Sequence, residues 1–184
     1  MNISKVAVLG AAAALAFGIA GCSSDEKSSS AATLVASTGA AASSPATLEY
    51  AGLLIEPSDI DAGWTLKTTQ PEQDGITGIF GNSEGTEKIS TSIIVRDSPE
   101  TATAAVAAAK DAASQQAGGV AFSPIEVGAG GGIMYAPDAT VVVFSEGSAF
   151  AILEFNSSTG ERVPDEVAIE IAQKQDAAIK AGVK

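Results

Sequence analysis

The chain has 184 residues, with 22 acidic and 10 basic side chains, a formal charge of −12, one cysteine and no histidine. That balance argues against nucleic acid as a partner, since phosphates are bound by clustered Lys and Arg that displace counterions, and against electrostatic docking on anionic lipid, which needs a polybasic segment. A Ser-His-Asp triad, a Cys-His pair, a zinc site of ordinary type and an internal disulfide are all excluded by residue type alone.

Lys5 gives the chain a charged start, Val6 to Ala20 is almost wholly apolar, and small residues then lead into Cys22. Charged start, apolar run and small-residue cleavage site together read as an export signal. The run of 15 residues is short for a membrane span, which takes about 20. Ile19-Ala20-Gly21-Cys22 resembles the lipobox of bacterial lipoproteins. The resemblance implies that residues 1–21 are removed and that Cys22 becomes the mature N-terminus. Its sulfur would carry a thioether-linked diacylglycerol, and its amine often a third acyl chain such as palmitate. The implied address is the extracytoplasmic face of the cell membrane. Loss of Lys5 with the leader lowers the side-chain charge from −12 to −13. One acyl chain binds a membrane only marginally, whereas two or more anchor stably.

Ser23 to Ala46 is built from Ser, Ala, Thr and Gly, with Lys27 its one base. Such a tract buries too little apolar area to offset chain entropy and reads as a disordered tether, residues 22–46 with the lipidated cysteine. Its 24 residues average roughly 27 Å end to end as a flexible coil and at most about 80 Å stretched. Thr33, Ser37, Thr38, Ser43 and Ser44 offer acceptors for O-linked sugars; an unmodified linker is the competing reading.

Residues 47–184 have the size of one domain. Pro57 and Asp59 predict a short helical turn ended by Gly63, and Trp64 to Thr68 a strand. The proline-bearing stretch Gln70 to Asp74 reads as a loop. Gly75 to Phe80 and the β-branched run Lys88 to Val95 flank a Gly-containing turn and predict a hairpin. Ser98-Pro99-Glu100 has the residue order of a helix start, and the alanine-rich stretch to Gln116 sustains the helix until Gly118-Gly119. Val120 to Val127, interrupted by Pro124, and Ile133 to Tyr135 are strand candidates. Thr140 to Phe144 and Ala149 to Phe155 flank Ser145-Glu146-Gly147-Ser148 as a tight antiparallel hairpin. Pro164-Asp165-Glu166 starts a last helix running to about Ala181, with Val167, Ile171, Ala178 and Ile179 on one stripe. The expected fold is α+β, a curved antiparallel sheet with two main helices packed on one face.

Few residues point to chemistry. Gly128 to Gly132 lacks the Gly-Lys-Ser/Thr and the following helix of a phosphate loop and reads as a β connection, so no nucleotide or other cofactor is expected. Glu154 shares a strand face with Phe150 and Ile152; it is either a desolvated acid-base group or, with no partner in view, an exposed strand residue. Asp59 and Asp61 lack the spacing of a calcium loop and read as cap and surface groups, so no metal is expected. Trp64 is the only tryptophan, a core aromatic or, at a pocket mouth beside Tyr50 or Tyr135, a recognition residue. Trp64 and Tyr135 are the interaction candidates.

Leu53 to Lys184 resembles the small exported domains of mycobacterial-type lipoproteins. Leu53-Leu54-Ile55-Glu56-Pro57-Ser58-Asp59 is similar to the opening of sensor domains on mycobacterial receptor kinases, although that pattern carries paired cysteines and this head has none. Val163-Pro164-Asp165 and Gln173-Lys174-Gln175 are similar to the LpqN-type lipoproteins, whose domain resembles the PsbP/Mog1 sandwich; neither relative implies active-site residues. The expectation is a lipid-anchored, non-catalytic binding or interaction module contacting an envelope protein, lipid or glycan. The alternative is a lipid or glycolipid carrier with an apolar pocket between sheet and helices. A carboxylate-only enzyme is the third reading, without a convincing pair of acids.

Overall fold

A computed structural model describes residues 49–115 and 120–183. Seven strands form one open antiparallel sheet in the order β1-β2-β3-β7-β6-β5-β4. They are β1 (Thr65–Glu72), β2 (Gly75–Gly81), β3 (Glu87–Val95), β4 (Phe122–Pro124), β5 (Ala129–Tyr135), β6 (Ala139–Glu146) and β7 (Ala149–Ser157); the helices are α1 (Pro57–Ile60), α2 (Pro99–Gln115) and α3 (Asp165–Gly182). Two meanders, β1-β2-β3 and β4-β5-β6-β7, meet where β3 pairs antiparallel with β7. The expected α+β class is the observed one.

The helices lie on opposite faces of the sheet, which corrects the one-face arrangement. Val142, Phe144, Ala151, Leu153 and Phe155 pack with Ile171, Ala172 and Ile179 of α3. Val143, Phe150 and Met134 pack with Val106 and Ala113 of α2. Neighbouring strand residues point to opposite sides, so β6 and β7 send alternate side chains to the two helices. Their unbroken apolar runs, Val141 to Phe144 and Ala149 to Leu153, suit strands covered on both faces. By contrast, β3 alternates buried Ile89 and Ile93 with half-buried Ser90 and Ser92. On that α2-side half of the sheet, Ser92 and Glu72 hydrogen-bond the Thr77 hydroxyl at 2.8 and 2.9 Å.

Local chemistry explains most boundaries. Glu56 and Asp59 form a reciprocal capping box at α1, with Pro57 at a first helical position. Ser98 and Thr101 do the same at α2: the Thr101 N–H donates to Ser98 Oγ at 3.3 Å and the Ser98 N–H to Thr101 Oγ1 at 3.1 Å. The first strand runs through Pro71 to Glu72, where a loop is expected from the proline. β1 is an edge strand, paired only with β2, the kind of position where a strand proline is tolerated. Likewise Gly130 to Gly132 belong to β5 instead of a connection. The Phe122 ring lies on Gly132 so closely that a Cβ there would stand 1.8 Å from it. Gly118-Gly119, the expected stop of α2, lie outside the described residues.

One buried polar residue ties the N-terminal segment to α3. Gln175 is fully buried; its Oε1 accepts the Ile55 N–H at 3.2 Å and its Nε2 donates to the Leu53 carbonyl at 2.6 Å. Lys174 extends the tie, donating to the Asp59 carbonyl at 2.8 Å and pairing with Glu170 at 2.9 Å. These bonds fasten residues 53–59, which lead through α1 to Trp64, to the middle of α3.

A charged cluster joins the C-terminal half of α3 to the β6–β7 hairpin. Lys180 Nζ lies 3.6 Å from Glu146 and 3.7 Å from Asp176. Burial, then the neighbouring Glu146 charge, raises the Asp176 pKa, and its Oδ1 is buried without a partner. A folded-state pKa above the unfolded one means the protonated carboxyl favours folding. That contribution is complete below the unfolded value and is lost as pH rises through the folded value. Asp176→Asn is therefore expected to raise the urea midpoint at pH 7, with the gain shrinking toward pH 3.5; equal gains at both pH values would contradict this assignment.

Candidate functional site

A cleft of about 230 Å³ opens at one end of the sheet, beneath the start of α3. Ile89 of β3, Phe155 of β7 and Ile171 of α3 are its buried apolar residues. Ile60 and Trp64 wall one side, and Val163, Pro164 and Val167 the other; Asp61, Glu87, Lys88, Asn156 and Ser157 supply the polar lining. Gly63, at φ +87°, turns the chain from α1 into Trp64, and the Trp64 N–H donates to the Asp61 carbonyl at 3.3 Å. Trp64 is half-buried, packed against the main core on one side and bordering the cleft on the other. Val167, expected on the buried stripe of the last helix, is 42% exposed because the cleft opens there.

Tyr135 stands elsewhere. Its hydroxyl donates to Asp165 at 2.6 Å, and the Arg162 guanidinium sits 5.2 Å from the ring centroid. The bond to Asp165 pushes the Tyr135 pKa up, because phenolate would lose the donor and face a carboxylate. Tyr135 does not line the cleft, and Tyr50 borders a different depression with Arg96 and Asp97. The structure therefore does not join Trp64 to either tyrosine in one pocket. Through its hydroxyl, Tyr135 of β5 is joined to Asp165 at the start of α3.

A second cavity of about 190 Å³ adjoins the first, sharing Phe155 and Ser157 with it and lined further by Thr140, Asp138, Glu161 and Arg162. Strand register explains the adjacency. Ile89 pairs with Phe155, Phe155 with Thr140, and Thr140 with Tyr135. These four residues form one lateral row across β3, β7, β6 and β5, and residues Thr159 to Val163 lie between the two hollows. Sequence reasoning missed Thr140, which reads as an ordinary β-former.

The other candidates keep their plainer roles. Glu154 is exposed on the α2 side, accepts the Asn156 amide at 3.0 Å, and has Ser90 and Val141 as its cross-strand neighbours, so no second carboxyl faces it. Asp59 caps α1, and Asp61 accepts the Ala62 N–H at 2.6 Å. The buried residues of α2 are Ala102, Val106 and Ala113. Ile19, Ala20, Gly21 and Cys22 lie outside the described residues. No helix among the described residues is long and apolar enough to cross a membrane. No protein-family model, curated protein or solved structure matches the chain.

Proposed function

We propose that this chain is a lipid-anchored, extracytoplasmic binding module, held at the membrane through Cys22, whose head receives an apolar ligand group in the Trp64 cleft without chemical conversion of it. The cleft carries the reading: an apolar floor, a half-buried tryptophan at its border and a few polar groups on its walls are the usual composition of a small recognition site. Its 230 Å³ lies below the roughly 300–1,000 Å³ of drug-sized pockets. The cleft thus suits one short apolar group, which favours local recognition over carriage of a whole membrane lipid.

The only tryptophan in the chain reports on this site directly. Titration of the mature polypeptide, residues 22–184, with 1-octanol is expected to shift Trp64 emission saturably. Val163→Phe, which fills the cleft from its half-exposed wall, should abolish that response while leaving the unfolding free energy within about 0.5 kcal/mol of wild type. A response that never saturates, or that survives Val163→Phe unchanged, would remove the cleft as a binding site.

A further inference from the structure

The charged side chains that face the Trp64 cleft are of one sign. Strand alternation sorts the polar lining: Glu87 pairs with Ser157 and Ile89 with Phe155, and Lys88 pairs with Asn156 between them. Ile89 and Phe155 belong to the core under α3, so Glu87 points to the cleft side and the Lys88 side chain to the α2 side. The Asn156 amide agrees with this sorting, since it donates to Glu154, which is exposed on the α2 side. Asp61, next to Ile60, is the other charged residue of the lining. Asp61 is exposed and Glu87 half-buried, whereas the floor of Ile89, Phe155 and Ile171 is buried and apolar. Among the described residues neither carboxylate forms an ion pair. The N-terminus of a helix favours an anion, but the first turn of α3 already carries Asp165 and Glu166.

We propose that the Trp64 cleft selects an organic cation, an alkylammonium whose short chain lies on the apolar floor and whose charge stays at the mouth with Asp61 and Glu87. The inference rests on the cleft being a binding site and adds the sign of its ligand. At roughly 30 Å³ per non-hydrogen atom, a water's share of liquid volume, the cleft holds a chain of about eight carbons. An ammonium at the mouth keeps its contact with water, so it escapes the large desolvation cost of a buried ion. The Trp64 ring at the border adds attraction for a cation, through the negative face of its π-system. A carboxylate head in the same place would meet two like charges with no base facing it.

The test titrates the mature polypeptide at pH 7 and low salt with octylamine, which is protonated there, 1-octanol and octanoate, each below its aggregation threshold. Trp64 emission and heat of binding are read together. Octylammonium should bind about five- to tenfold more tightly than 1-octanol, the scale of two exposed ion pairs, and octanoate more weakly than either. The double variant Asp61→Asn/Glu87→Gln keeps an oxygen acceptor for the Ala62 N–H and the Asn82 amide, so the fold is retained. It should bring octylammonium to the affinity of 1-octanol and leave 1-octanol binding unchanged. Asp111→Asn/Glu154→Gln removes two exposed charges that do not line the cleft and separates local selection from the net charge of the chain; it should keep the preference. Octanoate binding as tightly as octylammonium, or equal loss of preference in both double variants, would overturn the proposal and leave the Trp64 cleft standing. Absence of any Trp64 response to all three probes would overturn the cleft reading itself.

Discussion

Gln175→Leu is expected to destabilise the head by about 3 kcal/mol, the largest effect of any single exchange considered. The side chain is fully buried and serves two backbone groups, the Ile55 N–H and the Leu53 carbonyl. Leucine keeps the space filled, so the loss comes chiefly from the two hydrogen bonds. Each stranded backbone group costs about 1–3 kcal/mol when water cannot reach it. For a domain of this size the melting temperature should fall by roughly 10 °C. The effect should also reach the cleft, because the segment that Gln175 fastens leads through α1 into Trp64. Equilibrium urea unfolding followed by Trp64 emission reads both consequences. A midpoint unchanged from wild type would mean that the 53–55 segment does not depend on this clasp.

The elements that were legible in the sequence are those whose signals are local. Ser98-Pro99-Glu100 opens α2, Gly147 at φ +53° turns the β6–β7 hairpin, and Pro164 precedes α3, each at the position its residue chemistry dictates. The arrangement of helices was also written in the chain, but in a signal that is easy to pass over. Val141 to Phe144 and Ala149 to Leu153 are apolar at every position, which a sheet with one wet face does not need; both faces of these strands are covered. Pro71 and Gly130 to Gly132 mislead for a shared reason. Proline and glycine are ordinary punctuation, yet here an edge position accommodates one and the Phe122 ring demands another.

The site divides along the same line. Trp64 stands out as the lone tryptophan, and it lines a cleft that neither Tyr50 nor Tyr135 borders. Thr140 and Gln175 could not be singled out, because what matters is the partner each lacks or holds. Gln175 bonds backbone atoms 120 and 122 residues earlier. Thr140 is conspicuous only once its neighbours are known to leave its hydroxyl unpaired. Val167 fits the apolar stripe of α3 but sits where that stripe runs out over the cleft opening.

The second large effect concerns attachment. A mature side-chain charge of −13, with no polybasic segment, offers anionic lipid nothing to hold. On the proposed reading, membrane retention of the processed chain would rest wholly on acyl groups at Cys22, each buried CH₂ contributing about 0.8 kcal/mol. Cys22→Ser removes the sulfur that would accept the diacylglycerol, and with it the matured form. The longer precursor, still carrying residues 1–21, is the expected product, free of radiolabelled palmitate. Intact mass of the membrane-derived wild-type chain tests this claim most directly. The account predicts a polypeptide beginning at Cys22 and heavier than its sequence by a diacylglycerol, with or without one further acyl chain. A chain of bare sequence mass, or one beginning at any other residue, would contradict it.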